Sequence, residues 1–372
     1  MRRLAILLIF TTTLFGQRHK QPEEVDAEKP DGKLLQQIMQ ENDAAKKTGL
    51  MEQFATEFAK SESTPWILEQ LQGLYVKANN TDKVIATGER LLALDADDPE
   101  AALQSLKAAE SKKDLAKVLS FAGKTSANAR KMANEPQPKE ADEVTAWKNA
   151  VDYAKQVATY ADYALFRVAV ESRDPKVVVE FSEALEKQNA QSEYVPKVRE
   201  ATFVAYRQSG QNDKALALAE KMTAANTANE DMLLVVIDSY SQQKKEPEKV
   251  HAYAAKIVEM IGAKPKPEGV SDADFAARKN QITGLARYLS GKLYAAENKH
   301  VQADTELRAA LPMLDAALKP EVNFLLGLAN YRMQKAQEAV TFFRACAAAP
   351  GPYKAEATKN VARIQQEYRG IK

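Results

Sequence analysis

A pattern of small and large residues recurs in the C-terminal part of the chain, and it constrains the fold more than any other sequence feature. It starts at Gly327, and it starts again one period upstream, at Gly291. The next positions of the pattern hold Ala339, Phe343 and Cys346 after Gly327 and, at the same offsets after Gly291, Ala303, Leu307 and Ala310. Such a period indicates structural units that stack and bury their apolar faces against each other.

Further units upstream keep a similar spacing and carry helix start signals. Tyr240 follows Tyr206 by a closely similar period. Asp174-Pro175 predicts an N-cap followed by a first-turn proline, and Asp98-Pro99 predicts the same. Small residues allow two antiparallel helices to approach closely, while large residues fill the gap to the next pair. The pattern therefore predicts helical hairpins that stack side by side.

In its order of small, aromatic, alanine, aromatic and proline positions, this pattern resembles that of the tetratricopeptide repeat (TPR) family. The unit around Gly327 carries it most clearly, because Pro350 closes it in the family's manner. The resemblance implies an all-α fold: an α-solenoid of antiparallel helix pairs wound into a right-handed superhelix. The alternatives are a plain antiparallel helical bundle and another kind of α-solenoid.

The composition agrees with an all-α chain and excludes one class of binding partner. Only 14 of 372 residues are glycine, about half the usual share of roughly 7%, and tight turns and phosphate loops depend on glycine. Lys and Arg number 52 and Asp and Glu 51, without a basic block. Nucleic-acid binders concentrate basic charge, so we expect no nucleic-acid partner. The single cysteine, Cys346, has apolar neighbours and is interpreted as a buried small residue.

The N-terminus predicts an exported protein. Met1-Arg2-Arg3 is followed by the apolar run of residues 4–15 and then by a polar, charged stretch. This is the outline of a secretory signal peptide, and the apolar run is shorter than the roughly 20 residues of a membrane span. We therefore expect no integral membrane anchor after cleavage of the signal peptide, and a periplasmic or secreted location.

Composition shifts divide the chain into five predicted segments. They are a signal peptide at 1–16, a flexible leader at 17–30, degenerate N-terminal helical repeats at 31–133, a polar linker at 134–143, and a TPR-like repeat array at 144–372.

The residues that enzymes and metal sites require are sparse in this chain. The three histidines, His19, His251 and His300, are too far apart for helical ligand spacing, and no cysteine cluster exists. No signature surrounds any serine or glycine that would predict nucleophilic catalysis or phosphate binding. We therefore predict neither a cofactor nor a catalytic site, and we expect that the protein is not an enzyme.

If the array is TPR-like, the first helix of each pair lines a concave groove. The resemblance implies that the positions just after the small residue, and those one turn later, face this groove. They are Val204, Arg207, Gln208, Asp238, Ser241, Gln242, Lys292, Leu328, Tyr331 and Arg332. This mixture of charged, amide and aromatic side chains suits an extended peptide.

The sequence thus favours an exported, non-catalytic scaffold that binds a protein or peptide partner in the groove. Two alternatives remain open at this point. One is an exported all-helical enzyme that acts on glycans, which requires a deep pocket with two carboxylates and several aromatic side chains. The other is an adaptor of an envelope or secretion assembly, which differs mainly in its partner.

Overall fold

The computed structural model describes residues 18–368, and the predicted signal peptide at 1–16 lies outside the described residues. In the described range the regular structure is helical throughout, with no β-strand. The chain divides into two compact units, residues 1–209 and 210–372. The domain boundaries expected from composition stay a prediction.

The described part of the first unit contains nine α-helices. They are α1 (Pro30–Gln40), α2 (Ala44–Glu57), α3 (Thr64–Lys77), α4 (Thr81–Leu94), α5 (Pro99–Lys112), α6 (Leu115–Ala133), α7 (Val144–Glu171), α8 (Pro175–Gln188) and α9 (Tyr194–Gln208). Within this unit, each helix from α1 to α8 packs against the next one along the chain. In addition, α3 contacts α5, α5 contacts α7 and α7 contacts α9, so these odd-numbered helices form a continuous row.

The described part of the second unit contains eight α-helices. They are α10 (Asn212–Ala224), α11 (Glu230–Gln243), α12 (Pro247–Ala263), α13 (Asp272–Ala296), α14 (His300–Ala310), α15 (Lys319–Arg332), α16 (Ala336–Ala347) and α17 (Lys354–Glu367), with a short 3-10 helix at Leu311–Met313. Consecutive helices again pack together, and α11, α13 and α15 form a row. The predicted all-α fold of consecutive antiparallel helix pairs is confirmed.

Two glycines show why the recurring pattern produces these pairs. A Cβ atom at Gly327 on α15 would lie 2.7 Å from ring atoms of Phe343 on α16. One at Gly291 on α13 would lie 2.7 Å from the side chain of Leu307 on α14. Phe343 and Leu307 are fully buried. The offset that the two repeats share therefore places a large side chain directly over a glycine, which has no side chain of its own.

Helix starts follow the predicted capping chemistry. The carboxylate of Asp98 accepts hydrogen bonds from the backbone N–H groups of Glu100 and Ala101, and Pro99 opens α5. The carboxylate of Asp174 accepts from Lys176, and Pro175 opens α8. These bonds satisfy backbone donors that the first turn of a helix leaves unpaired.

The predicted flexible leader, residues 17–30, is described from Arg18 onward. A Cβ at Gly32 would collide with the carbonyl oxygen of Asp26, so this segment passes directly against the first turn of α1. Val25 packs against the core of the first unit. The flexibility of the leader stays a prediction.

Candidate binding groove

An open groove of about 600 Å³ lies on the first unit, between the end of α7, the start of α8 and one face of α9. We call it the α7–α9 groove. Its lining consists of Ala169, Val170, Ser172, Arg173, Pro175, Val178, Lys197, Glu200, Ala201, Val204, Ala205 and Gln208.

Exposed apolar side chains concentrate at this groove. Val170 on α7 and Val204 on α9 are each 44% exposed, and Tyr163, two helical turns before Val170, is 38% exposed. Residues two turns apart lie on one face of a helix. Nine large apolar side chains are exposed among residues 18–368, and three of them lie in or beside this groove. We call Tyr163, Val170 and Val204 the apolar line.

Aromatic contacts fix one end of the apolar line. The ring of Tyr163 lies 5.6 Å from that of Tyr194 on α9, and the ring of Phe166 stacks on Tyr194 at 5.1 Å. The ammonium group of Lys197 lies 4.8 Å from the centre of the Tyr194 ring and 2.7 Å from the carboxylate of Glu193. This end of the groove is therefore held by packing between α7 and α9.

Positive charge without a bound partner flanks the apolar line. Arg173 lines the groove, and Arg207 follows Val204 by one helical turn, which places it on the same face of α9. Both side chains are exposed. Neither guanidinium has an ion-pair or side-chain hydrogen-bond partner in the part of the chain that the structure describes.

The structure places the predicted groove residues of α9 at this site. Val204 and Gln208 line the groove, and Arg207 lies beside Val204. The lining residues from the end of α7 to the start of α8, Val170 and Arg173 among them, were missed by sequence reasoning. Their signal was the two-turn spacing from Tyr163 to Val170, since it puts two large apolar side chains on one helical face.

In the second unit, the predicted residues of α11 are exposed to different degrees. Asp238 and Gln242 are exposed, and the Gln242 amide donates a hydrogen bond of 3.0 Å to the Asp238 carboxylate. Ser241 is half-buried. These side chains form a polar surface, without the exposed apolar residues of the α7–α9 groove.

Lys292 on α13 is held by its own unit. Its ammonium group lies 2.7 Å from the Glu321 carboxylate and donates a hydrogen bond of 3.2 Å to the Tyr288 hydroxyl. Burial acts to lower the pKa of Lys292, but the bonds to Glu321 and Tyr288 outweigh it and raise this pKa above its usual range. A ligand would have to compete with Glu321 for this charge.

The three predicted residues of α15 differ in their exposure and in their contacts within the chain. Leu328 is half-buried against the core that contains Phe343. The hydroxyl of Tyr331 donates a hydrogen bond of 2.8 Å to Glu367 on α17, and the Arg363 guanidinium lies 4.8 Å from its ring centre. Of these three residues, only Arg332 is exposed, and it has no charged partner within residues 18–368. The groove function of all ten predicted residues stays a prediction.

One cluster in the second unit contains a serine, a histidine and a glutamate. Nδ1 of His251 lies 2.8 Å from the Ser290 hydroxyl, and its Nε2 lies 3.0 Å from Glu297. Ser290 is 4% exposed, and the His251 ring stacks on Tyr294 at 3.5 Å. A substrate cannot reach this hydroxyl, so the cluster joins α12 to α13 rather than supplying a nucleophile.

Comparisons with known proteins concern the fold only. No protein-family model and no curated protein matches this sequence. Among solved structures, the TPR domain of P58(IPK) shares 10% identity at a TM-score of 0.30, covering 91% of this chain and 99% of that one. Yeast Tom70 shares 12% at 0.25, covering 92% and 73%. The Naa15/Naa10 complex bound to HypK shares 12% at 0.22, covering 91% and 61%. These TM-scores are too low to indicate a common overall arrangement.

The contacts within the chain therefore define its class. It is an all-α helical repeat protein, in which antiparallel hairpins pack consecutively within each unit. The hairpins α13–α14 and α15–α16 are TPR-like, because in each a glycine on the first helix accepts a large side chain of the second at the spacing of the repeat. No helix among residues 18–368 is both long and apolar enough to cross a membrane.

Proposed function

We propose that the protein is a non-catalytic scaffold that binds a protein or peptide partner in the α7–α9 groove. The observation that carries this proposal is the apolar line, which leaves Val170 and Val204 each 44% exposed on facing helices. Burial of apolar surface contributes about 25 cal/mol per Å². Binding of a partner side chain that covers both valines is therefore favourable, because it removes their apolar surface from water.

Specificity comes from the polar rim of the groove. Arg173 and Arg207 offer fork-shaped donor groups to carboxylates or carbonyl oxygens of the partner, and the Gln208 amide offers both a donor and an acceptor. The lining holds one carboxylate, Glu200, whereas glycan hydrolysis commonly uses two that flank the bond. The surface thus suits recognition better than hydrolysis.

Binding to this groove is tested with a double variant, Val170→Asp with Val204→Asp, and a matched control, Val301→Asp. Val301 is 65% exposed on α14, outside the groove. Carboxylates at both valines make partner burial costly. We expect the recovery of a defined partner by the tagged full-length protein to fall about tenfold or more in the double variant and to stay unchanged in the control. Equal recovery from both would contradict the proposal.

We also propose that the protein is exported and acts in the periplasm or outside the cell. The basic start and the apolar run of residues 4–15 support this location. Mass spectrometry of the mature protein is expected to find Gln17 as its first residue. An intact Met1 on protein recovered from the cytosol would refute export.

A further inference from the structure

The N-terminal segment is bound to the first unit through two consecutive basic residues. The Arg18 guanidinium donates two hydrogen bonds to the Asp95 carboxylate, one of them with a length of 3.0 Å from Nη2 to Oδ1. The backbone N–H of His19 donates a hydrogen bond of 3.2 Å to the Glu69 carboxylate. One side chain and one main-chain donor thus attach this segment to α3 and to the loop between α4 and α5.

The side chain of His19 points at the same acidic residues. It is 14% exposed, and its Nε2 lies 3.5 Å from the Asp98 carboxylate and 3.7 Å from that of Asp95. This buried nitrogen has no hydrogen-bond partner within residues 18–368. His19 Nε2 therefore faces two carboxylates without a hydrogen bond to either.

The acidic residues are held in place without help from the N-terminal segment. Asp98 caps α5 through the N–H groups of Glu100 and Ala101, at 2.9 and 3.0 Å. The Asn128 amide on α6 donates to the carbonyl oxygens of Ala96 and Asp98, at 2.8 and 3.1 Å. The loop is therefore preorganised by α5 and α6.

Three carboxylates of this surface find their partners in the N-terminal segment. Asp97 pairs with Lys131, and Glu100 accepts a hydrogen bond from Tyr153. In contrast, Asp95 and Asp98 have no ion-pair partner among the described residues other than Arg18 and His19, and Glu69 accepts its hydrogen bond from the His19 main chain. Burial, with the nearby charges of Asp98 and Glu100, raises the pKa of Glu69 to about 7.

We propose that Glu69, Asp95 and Asp98 form a docking site for an extended basic segment, and that Arg18-His19 occupies this site within the chain as a displaceable ligand. A basic segment of a partner would use the same contacts: an arginine on Asp95 and a main-chain N–H on Glu69. Arg18 is 41% exposed, and partly exposed ion pairs are weak because water and salt screen them. A basic segment of a partner can therefore displace Arg18-His19 from the site.

The test uses the full-length chain with Arg18→Glu and His19→Glu, which leaves the acidic site open. The probe is a fluorescent synthetic peptide with the sequence of residues 18–22, and binding is followed by fluorescence anisotropy. We expect saturable binding to this variant. In the wild-type chain the tethered segment competes at a millimolar effective concentration, so the apparent affinity is expected to be about tenfold lower.

Two controls decide whether the acidic site is responsible. Adding Asp95→Lys to the open variant is expected to abolish binding, and a peptide that carries Glu in place of its arginine is expected not to bind. Absence of saturable binding to the open variant, or binding that persists with Asp95→Lys, would overturn the proposal. The α7–α9 groove takes no part in this experiment, so its failure is distinguishable from failure of the proposed function.

A second measurement avoids charge reversal, in case the Asp95→Lys chain does not fold. Hydrogen exchange of the amides of residues 19–21 is compared between the wild-type chain and Asp95→Asn, which is nearly isosteric. Exchange is expected to be about tenfold faster in the variant, because the segment leaves the surface more often. Equal exchange in both chains would also overturn the proposal.

Discussion

At the scale of single residues, the glycines of α13 and α15 explain how two helices approach closely. Gly291 and Gly327 are the positions where the adjacent helix inserts a buried Leu307 or Phe343. The sequence predicted these contacts, because a small residue and a large one recur at a fixed offset. The two-turn spacing from Tyr163 puts Val170 on the same helical face, but spacing alone does not show whether a neighbouring helix covers that face.

We predict that Gly327→Ala destabilises the protein although alanine is the better helix former. The added methyl group would lie 2.7 Å from the Phe343 ring, which is fully buried and cannot move freely. Overpacking of this kind costs about 1 to 3 kcal/mol. The measurement is the free energy of unfolding in urea.

The matched controls are Gly73→Ala on α3 and Gly123→Ala on α6. Both glycines are exposed, and an added Cβ meets nothing within 4 Å. These substitutions are expected to stabilise by about 0.5 to 1 kcal/mol, because alanine loses less backbone entropy. If Gly327→Ala behaves like the controls, the close approach of α15 and α16 is refuted.

Tyrosine hydroxyls that donate to glutamates on a neighbouring helix recur along the chain. The pairs include Tyr75–Glu52 at 2.5 Å, Tyr160–Glu110 at 2.6 Å, Tyr206–Glu183 at 2.9 Å and Tyr331–Glu367 at 2.8 Å. Burial of the ring and the adjacent carboxylate both favour the neutral phenol. The pKa values of these tyrosines are therefore raised.

We predict that this feature makes the second unit sensitive to alkali. Burial, with a hydrogen bond to Glu321, raises the pKa of Tyr288 from 10.0 to about 12. A raised pKa in the folded state means that the contribution to stability is complete below pH 10 and is lost as the pH rises toward 12. The free energy of unfolding, measured by urea denaturation from about pH 8 to about pH 11.5, is expected to fall less steeply in Tyr288→Phe than in the wild type. If the free energy of unfolding falls equally steeply with pH in both proteins, Tyr288 is not the cause of the sensitivity to alkali.

At the scale of helices and turns, the period of the repeat is visible in the backbone. Lys113 follows Asn79 by one period, and both have a positive φ in the turn that follows an odd-numbered helix. In the second unit, Gln334 follows Asn298 by one period, with the same conformation. Neither pair contains glycine, so a search for glycine turns misses them. The N-terminal repeats are thus more regular in backbone than in sequence.

Helix caps permit a prediction at this scale. Asp174→Ala removes the carboxylate that accepts the Lys176 N–H at the start of α8, at 2.9 Å. Loss of such a cap costs about 1 kcal/mol. Ser63→Ala at the N-cap of α3 is the control, because Ser63 makes no side-chain cap bond, and it is expected to cost less. The stability that each variant loses is measured by thermal unfolding. Equal losses of stability in the two variants would show that the Asp174 cap contributes little.

At the scale of the whole molecule, composition and contacts give different information. The polar stretch 134–143 separates α6 from α7, as a loop should, but these two helices pack against each other within the first unit. The division between compact units falls at residues 209 and 210. Proline and charge predict a loop, whereas they do not reveal whether the helices on either side remain in contact. Composition therefore locates the loop, and contacts are needed to assign the helices on either side of it to a unit.

Photo-cross-linking in the native host shows whether a partner binds over the apolar line of the first unit. A photoreactive amino acid is placed at Val204, 44% exposed in the α7–α9 groove, or at Val301, 65% exposed on α14. We predict that one defined protein is cross-linked from position 204 and not from position 301. The same adduct from both positions, or from position 301 alone, would contradict it.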